Sequence, residues 1–378
     1  MIEPKTPTAR LALDTFMQRP VKGIPSTVLN IMEHAHIERI AGYPPGSYAK
    51  DPRKVYLAMQ HAIGTCAIEQ YIPDNPLSMG DCGFEGGAEA PTHGIEEIRR
   101  DGMLIDSPEA VVEHLERFEF PRLRARAANY DEEARTREIL AEEKAVQEEL
   151  GPTILKTGYG HFGFPGFGYN EYGYEHYFAA YALYPEVIAR KFKLQADMYL
   201  RSNRAAARAY ETGLLPPISM LDFDIADSRW TLVDVRSLDR IWFPEFARCL
   251  EPALKAGIRL IWHSDGNLMQ MVPRLIEVGV KGFQGFQYEC GMDYPAICSM
   301  KAKDGEPLII QAGVSVTRAL PYGSPQDVRD QMKWLVENGP RVGLLIGESS
   351  SMTPGVPWEN LATMIEGLRY YRTHGRGD

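Results

Sequence analysis

A chain of 378 residues, 44% hydrophobic and 24% charged, has the apolar content to bury a sizeable core and no compositional bias toward disorder. It exceeds the usual single-domain length, yet one α/β barrel with insertions accommodates it, and one domain over residues 1–378 is the expectation. A formal net charge of -10 without a compensating Lys/Arg cluster argues against nucleic acid as a partner.

In chain order, the opening Met1-Ile2-Glu3-Pro4-Lys5 lacks a basic segment followed by an apolar one, and no apolar run approaches about 18 residues. Export and membrane spanning are therefore not indicated, and a cytoplasmic protein is expected. Residues 24–31 and 71–79 supply candidate first and second strands. Residues 131–149 are charge-rich with Ile139, Leu140 and Val146 apolar, which predicts a solvated amphipathic helix. From residue 151 onward, strand-like runs at 153–157, 217–221, 258–262, 282–288, 308–312 and 342–346 alternate with helical ones such as 269–278 and 325–338. Gly279 and Gly339 stand near the ends of those helices as stop signals. Strand-then-helix repetition implies parallel strands, and eight of them predict a (β/α)8 barrel with an N-terminal extension and an aromatic-rich loop insertion. An open doubly wound sheet is the competitor, but no GxGxxG lies at a strand-to-helix turn, and Gly158-Tyr159-Gly160 is not that motif.

The insertion spans 159–181 and gathers Tyr159, His161, Phe162, Phe164, Phe167, Tyr169, Tyr172, Tyr174, His176, Tyr177 and Phe178 among glycines and Pro165, a composition for an irregular loop. Its aromatics serve either as a satellite core or as the wall of a pocket for a flat apolar ligand. On the second reading Tyr159, His161, Phe164, Phe167 and Tyr169 contact substrate, joined by Asn30 and Gln287 from strand ends. The five cysteines are odd in number and form no CxxC pair, which argues against a disulfide framework or a zinc finger; Cys290, after a strand end, is the one to watch.

In a barrel the C-terminal strand ends open onto one face, and here they carry polar residues. His263-Ser264-Asp265, followed by Gly266-Asn267, ends an apolar run; imidazole and carboxylate two residues apart on extended chain point to one side and can share a proton, a metal ion or a substrate atom. Asp222-Phe223-Asp224 offers two carboxylates in the same way, and such a pair pushes one pKa up, although helix capping is open to either. Glu348 follows Leu344-Leu345-Ile346-Gly347 and serves either as a third ligand or as a cap of the next turn.

The stretch 258–287, with His263-Ser264-Asp265-Gly266-Asn267, Pro273-Arg274-Leu275-Ile276-Glu277 and Gly279-Val280, resembles the uroporphyrinogen decarboxylase superfamily. So do the tail with Pro357-Trp358-Glu359-Asn360-Leu361 and residues 8–25 and 220–244. The resemblance implies a (β/α)8 barrel and one of two activities, porphyrinogen decarboxylation or corrinoid-linked methyl transfer. The decarboxylases carry an Arg-Gln-Ala-Gly-Arg-like motif that binds substrate carboxylates; the corresponding region here reads Met32-Glu33-His34-Ala35-His36-Ile37-Glu38-Arg39. In the thiol-methylating branch, zinc is held by a His-x-Cys pair and a later cysteine. His263 matches, Asp265 replaces the first cysteine, and no cysteine lies near 348–351. A harder N/O site suits polarising an oxygen leaving group rather than activating a thiol.

The resemblance thus implies a cobalamin-dependent methyltransferase that removes the methyl of a small methoxylated aromatic and passes it to a Co(I) corrinoid. That corrinoid is expected on a partner protein, because the DxHxxG pattern of corrinoid modules is absent. His263, Asp265 and Glu348 are the expected zinc ligands; His263, Asp265, Asp222 and Asp224 are the expected catalytic groups. Uroporphyrinogen decarboxylation and a non-catalytic ligand-binding barrel are the alternatives. The oligomeric state is open, with a homodimer as one option.

Overall fold

The computed structural model describes residues 4, 6–28, 30–74 and 97–376. Short apolar strands alternate with amphipathic helices, and six strands form one parallel sheet. Its members, with four further strands, are numbered in chain order: β1 (Ala67–Ile68), β2 (Ile98–Arg100), β3 (Met103–Ile105), β4 (Leu155–Lys156), β5 (Gly158–Tyr159), β6 (Ile218–Asp222), β7 (Arg259–His263), β8 (Gly282–Gln284), β9 (Ile309–Val314) and β10 (Leu344–Glu348). The six-stranded sheet runs β10-β9-β8-β7-β6-β5, so each strand pairs with its neighbour in sequence, as right-handed βα repetition requires. β1 pairs in parallel with β4, and β2 with β3 forms an antiparallel hairpin that the sequence pattern did not announce.

Most strands fall where the apolar runs place them, with differences at the ends. The first expected strand, 24–31, is present as parallel bridges, Ser26 to Ile346, Thr27 to Ala67 and Ile31 to Met352. The second is misplaced: pairing occurs at Ala67–Ile68, residues 71–74 are coil and turn, and 75–79 lie outside the described residues. Residues 282–288 pair only to Gln284, because Gly285 takes a left-handed φ of 81° and turns the chain toward a single 3-10 turn at Tyr288–Cys290. The aromatic insertion is irregular only over 160–168; it then forms helices Tyr169–Tyr172 and Tyr174–Leu183, where alanines and leucine among the aromatics restore helix propensity.

The helices start where capping chemistry is strongest. Pro325–Asn338 begins with a capping box, Ser324 and Asp327 bonding each other's backbone N–H groups, and a proline in the first turn. Glu132–Leu150 is capped by the Asp131 carboxylate at the Ala134 N–H. Among the described residues no helix is long and apolar enough to cross a membrane.

The two faces of the sheet differ. Ile218, Met220, Ile261, Ile309 and Leu345 cluster with Cys66, Ala67 and Leu155, and this inner face is covered by Ala9, Ala12, Leu13 and Phe16 of the N-terminal helix Pro7–Phe16. Gln18 ties that helix to the strand starts, donating to the Pro307 carbonyl and accepting from Arg259. On the outer face Trp262 packs edge-on against Phe246 of the helix Phe243–Lys255, ring centroids 5.5 Å apart, with Trp242 and Phe164 closing the same cluster. Each such side chain stabilises by roughly 1.5–3 kcal/mol on burial.

Candidate active site at the strand ends

Alternation along a strand sends residues two apart to one face, so the inner face can be followed upward from its apolar floor. Met220 leads to Asp222, Ile261 to His263, Gly282 to Gln284 and Ile309 to Gln311. Strand register places these four polar residues side by side, Asp222 opposite His263, His263 opposite Gln284, Gln284 opposite Gln311, and Gln311 opposite Leu345. One ligand atom each from Asp222, Asp224 and His263 lies within 4.8 Å of the other two. Both aspartates are exposed, whereas His263 is only 7% exposed.

Each group of this trio is held by a named contact. The Tyr159 hydroxyl donates to Asp222 Oδ2 at 2.5 Å and accepts from Gln70 Nε2 at 2.8 Å. Burial and the Asp222 charge push that phenol well above its ordinary range, so it stays a donor. Asp224 Oδ1 accepts the Asp265 backbone N–H at 2.8 Å, and the Asp224 carbonyl accepts the Tyr169 hydroxyl at 2.8 Å. The His263 ring needs the absence of a side chain at Gly285: a Cβ there would stand 2.5 Å from Nδ1 and 2.7 Å from Cε1. Nδ1 itself has no partner among the described residues. A nitrogen and carboxylate oxygens this close, with one ring nitrogen unclaimed, fit a hard N/O-ligated divalent cation such as zinc, and they equally fit a proton relay.

The expected ligand set is corrected in two places. Asp265 lies beyond the end of β7, in a bend, so the two-residue alternation with His263 no longer applies. Its Oδ2 accepts from Ser350 at 3.1 Å, Oδ1 has no partner among the described residues, and its carboxyl is not part of the close trio. Burial raises that carboxyl above the usual range; His263 opposes the rise, and Asp224 and Asp222 add to it. Glu348 pairs opposite Val314, three residues past Leu345, so alternation puts it on the outer face, where its Oε1 accepts the Asn30 N–H at 3.1 Å. It holds the first strand segment rather than joining His263.

The remaining candidates divide. Gln287 Oε1 accepts the Gly266 N–H at 2.7 Å and so fixes the turn after His263. Phe167 packs among Tyr177, Tyr181 and Phe192 and stacks at 5.8 Å on Phe223, a ring that Phe164 meets at 6.0 Å, while the Tyr169 hydroxyl reaches the Asp224 carbonyl. Asn30 is buried, with its amide 3.5 Å from Ser351 Oγ. His161 and Phe164 are elsewhere. His161 is clamped between the Tyr210 hydroxyl at 2.8 Å and Glu143 at 3.4 Å, and Phe164 belongs to the outer Trp242, Phe246 and Trp262 cluster. Cys290 sits in the 3-10 turn with its thiol pushed up by burial and Glu289, which leaves it protonated and a poor nucleophile.

Three buried polar residues escaped the sequence reading. Glu69 lies in a bend just past β1, within electrostatic reach of His263 and Tyr159, and is 4% exposed, with Oε2 lacking a partner among the described residues. Burial pushes its carboxyl up to about 7, against the opposing charges of Lys156 and His263. Gln284 and Gln311 are 5% and 3% exposed, and each has an Oε1 without a partner among the described residues. For Gln284 and Gln311 the signal is the step of two from an apolar or small residue of the inner floor; Glu69, past the end of β1, carries no such signal.

No protein-family model matches this sequence, and no curated protein matches it. Among solved structures, a methyltransferase from Methanosarcina mazei superposes with a TM-score of 0.55 at 13% identity, covering 96% of this chain and 98% of that one. Across nearly its whole length the chain therefore has the fold of that protein, a mixed α/β architecture with parallel strands.

Proposed function

We propose that the chain is a corrinoid-dependent methyltransferase of the uroporphyrinogen decarboxylase superfamily that demethylates a small methoxylated aromatic. The observation that carries this reading is the close trio of Asp222, Asp224 and His263 at the strand ends, in a fold shared end to end with a methyltransferase. We also infer a closed (β/α)8 barrel. The bridges Ser26 to Ile346 and Thr27 to Ala67 support it, because they link β10 through the first segment to β1, which pairs with β4.

A Co(I) corrinoid on a partner protein would supply the nucleophile for the methyl carbon, and a zinc ion on the trio would supply polarisation of the ether oxygen. This chain's residues do the rest. Tyr159 holds Asp222 in place, and Phe164 and Phe167 pack the Phe223 ring that lies between the two aspartates in sequence. As the carbon–oxygen bond breaks, both electrons stay on the phenolate oxygen. Asp265, whose carboxyl is held toward its protonated form by burial, is placed to deliver the balancing proton. A polyanionic tetrapyrrole would meet Asp222, Asp224 and Asp265 here instead of guanidinium groups, which disfavours decarboxylation.

The test is formation of methyl-Co(III) absorbance from guaiacol and a reduced corrinoid protein. His263→Ala is expected to lower the rate at least about 100-fold, in the range of losing an electrophilic or acid–base group, with an unchanged melting curve. Persistence of the rate in that variant removes His263 from the reaction. Tight arene binding without turnover across a methoxyarene panel would make the chain a ligand-binding barrel instead.

A further inference from the structure

Beyond His263 the inner face continues as two amides, Gln284 on β8 and Gln311 on β9, in register with each other. Gln284 reaches across to the Ser349 carbonyl at 3.5 Å, past the intervening β9, which confirms that its side chain projects over the inner face. Each glutamine keeps an unpartnered Oε1, and Glu69, just past β1 and within electrostatic reach of His263 and Tyr159, keeps an unpartnered Oε2 among the described residues. A buried polar atom left unpaired costs about 1–3 kcal/mol, so three here, beside an unclaimed imidazole nitrogen, indicate a space filled by a ligand with hydrogen-bonding groups.

The charge of this face selects the kind of ligand. Asp222, Asp224, Asp265 and Glu69 surround His263, and the inner positions next to it are glutamines rather than lysine or arginine. Lys156 follows inward-facing Leu155 and so points outward, where Glu143 at 2.8 Å and the Thr157 carbonyl at 2.6 Å engage it. A divalent cation on the trio would offset Asp222 and Asp224 and leave the Glu69 carboxylate without a countercharge on this face. A primary amide can turn to donate or accept, which matches a hydroxyl and gives no countercharge to a carboxylate.

We propose that Gln284, Gln311 and Glu69 form a subsite for an uncharged hydrogen-bonding ring substituent. On the methyl-transfer reading above, the substrate is then a neutral methoxyphenol rather than a methoxybenzoate.

Calorimetric titration of the full-length protein at about pH 8, where an ordinary benzoate is ionised, compares guaiacol with ortho-methoxybenzoate. Guaiacol is expected to bind at least about tenfold more tightly, the scale of one uncompensated like-charge contact. Glu69→Gln is expected to tighten the benzoate several-fold, and Gln311→Leu, checked for an unchanged melting curve, to weaken guaiacol. Equal or tighter benzoate binding, or affinities that neither variant moves, overturns the subsite. Guaiacol preference without methyl transfer keeps the subsite and overturns the reaction; preferred turnover of the benzoate does the reverse. Failure of both arenes to bind overturns both.

Discussion

His263 was legible because it ends an apolar run whose inner residue, Ile261, fixes the side on which the imidazole emerges. Asp265 was read by the same rule, which fails one residue past the strand, where backbone alternation stops. Glu69 was not legible, since a two-residue strand has no period to read, and its burial, which Lys156 and His263 only partly offset, is set by segments distant in sequence. The cost of that environment is measurable. A carboxyl raised to about 7 from an ordinary 4.5 is protonated in both folded and unfolded chains at low pH, so it carries no penalty there. The penalty grows as pH rises through the interval and is complete above about 7, reaching at most about 3 kcal/mol. In chelator-treated protein, Glu69→Gln is therefore expected to unfold at higher urea than wild type near pH 8, with the gap closing below about pH 5. A gap independent of pH would mean that Glu69 is not held as its burial implies.

At the scale of elements, an apolar period of five or more residues was legible in β6, β7, β9 and the helix Pro325–Asn338, while the long helix Pro185–Glu211 was not named. Recognition failed where tertiary contact supplied what the period lacked, as in β1 and the hairpin of β2 and β3. The helix Glu132–Leu150, read as merely solvated, also presents Glu143 to the sheet. Glu143 takes Lys156 at 2.8 Å and His161 at 3.4 Å, and His161 passes on to Tyr210. Burial works against the Glu143 carboxylate, yet His161 and Lys156 hold it below its usual range. The stability it contributes is present above the ordinary carboxylate range and is lost as pH falls through the depressed value. Removing one member of such a buried pair leaves the other uncompensated, so Lys156→Met is expected to cost about 3 kcal/mol in urea unfolding at neutral pH. The loss should shrink in acid as Glu143 protonates; a loss that stays constant would place the cost in packing instead. This network explains why His161 is no substrate ligand: its two ring nitrogens are already committed.

For the molecule as a whole, the order of strand and helix foretold the parallel sheet, because that order leaves few ways to connect strands. Asp222 and Asp224 were named beside His263 from the rule that strand ends carry the polar groups, whereas which carboxylates stand closest to the imidazole was not legible, since that depends on register between strands. The helix Pro7–Phe16 lies over the floor of the inner face, so a barrel closed as proposed above would be a flask with a stopper at its base and a neck at the strand ends. A flask fills and empties through its neck, and on the proposed methyl transfer a macromolecular acceptor seated there would cork it. On that reading the arene must enter before the acceptor docks, and the phenol must wait until the acceptor departs. Steady-state kinetics are expected to show compulsory order, the phenol competing with the methoxyarene but giving mixed inhibition against the corrinoid protein. Competition of the phenol with the corrinoid protein would mean that the two arrive by separate doors.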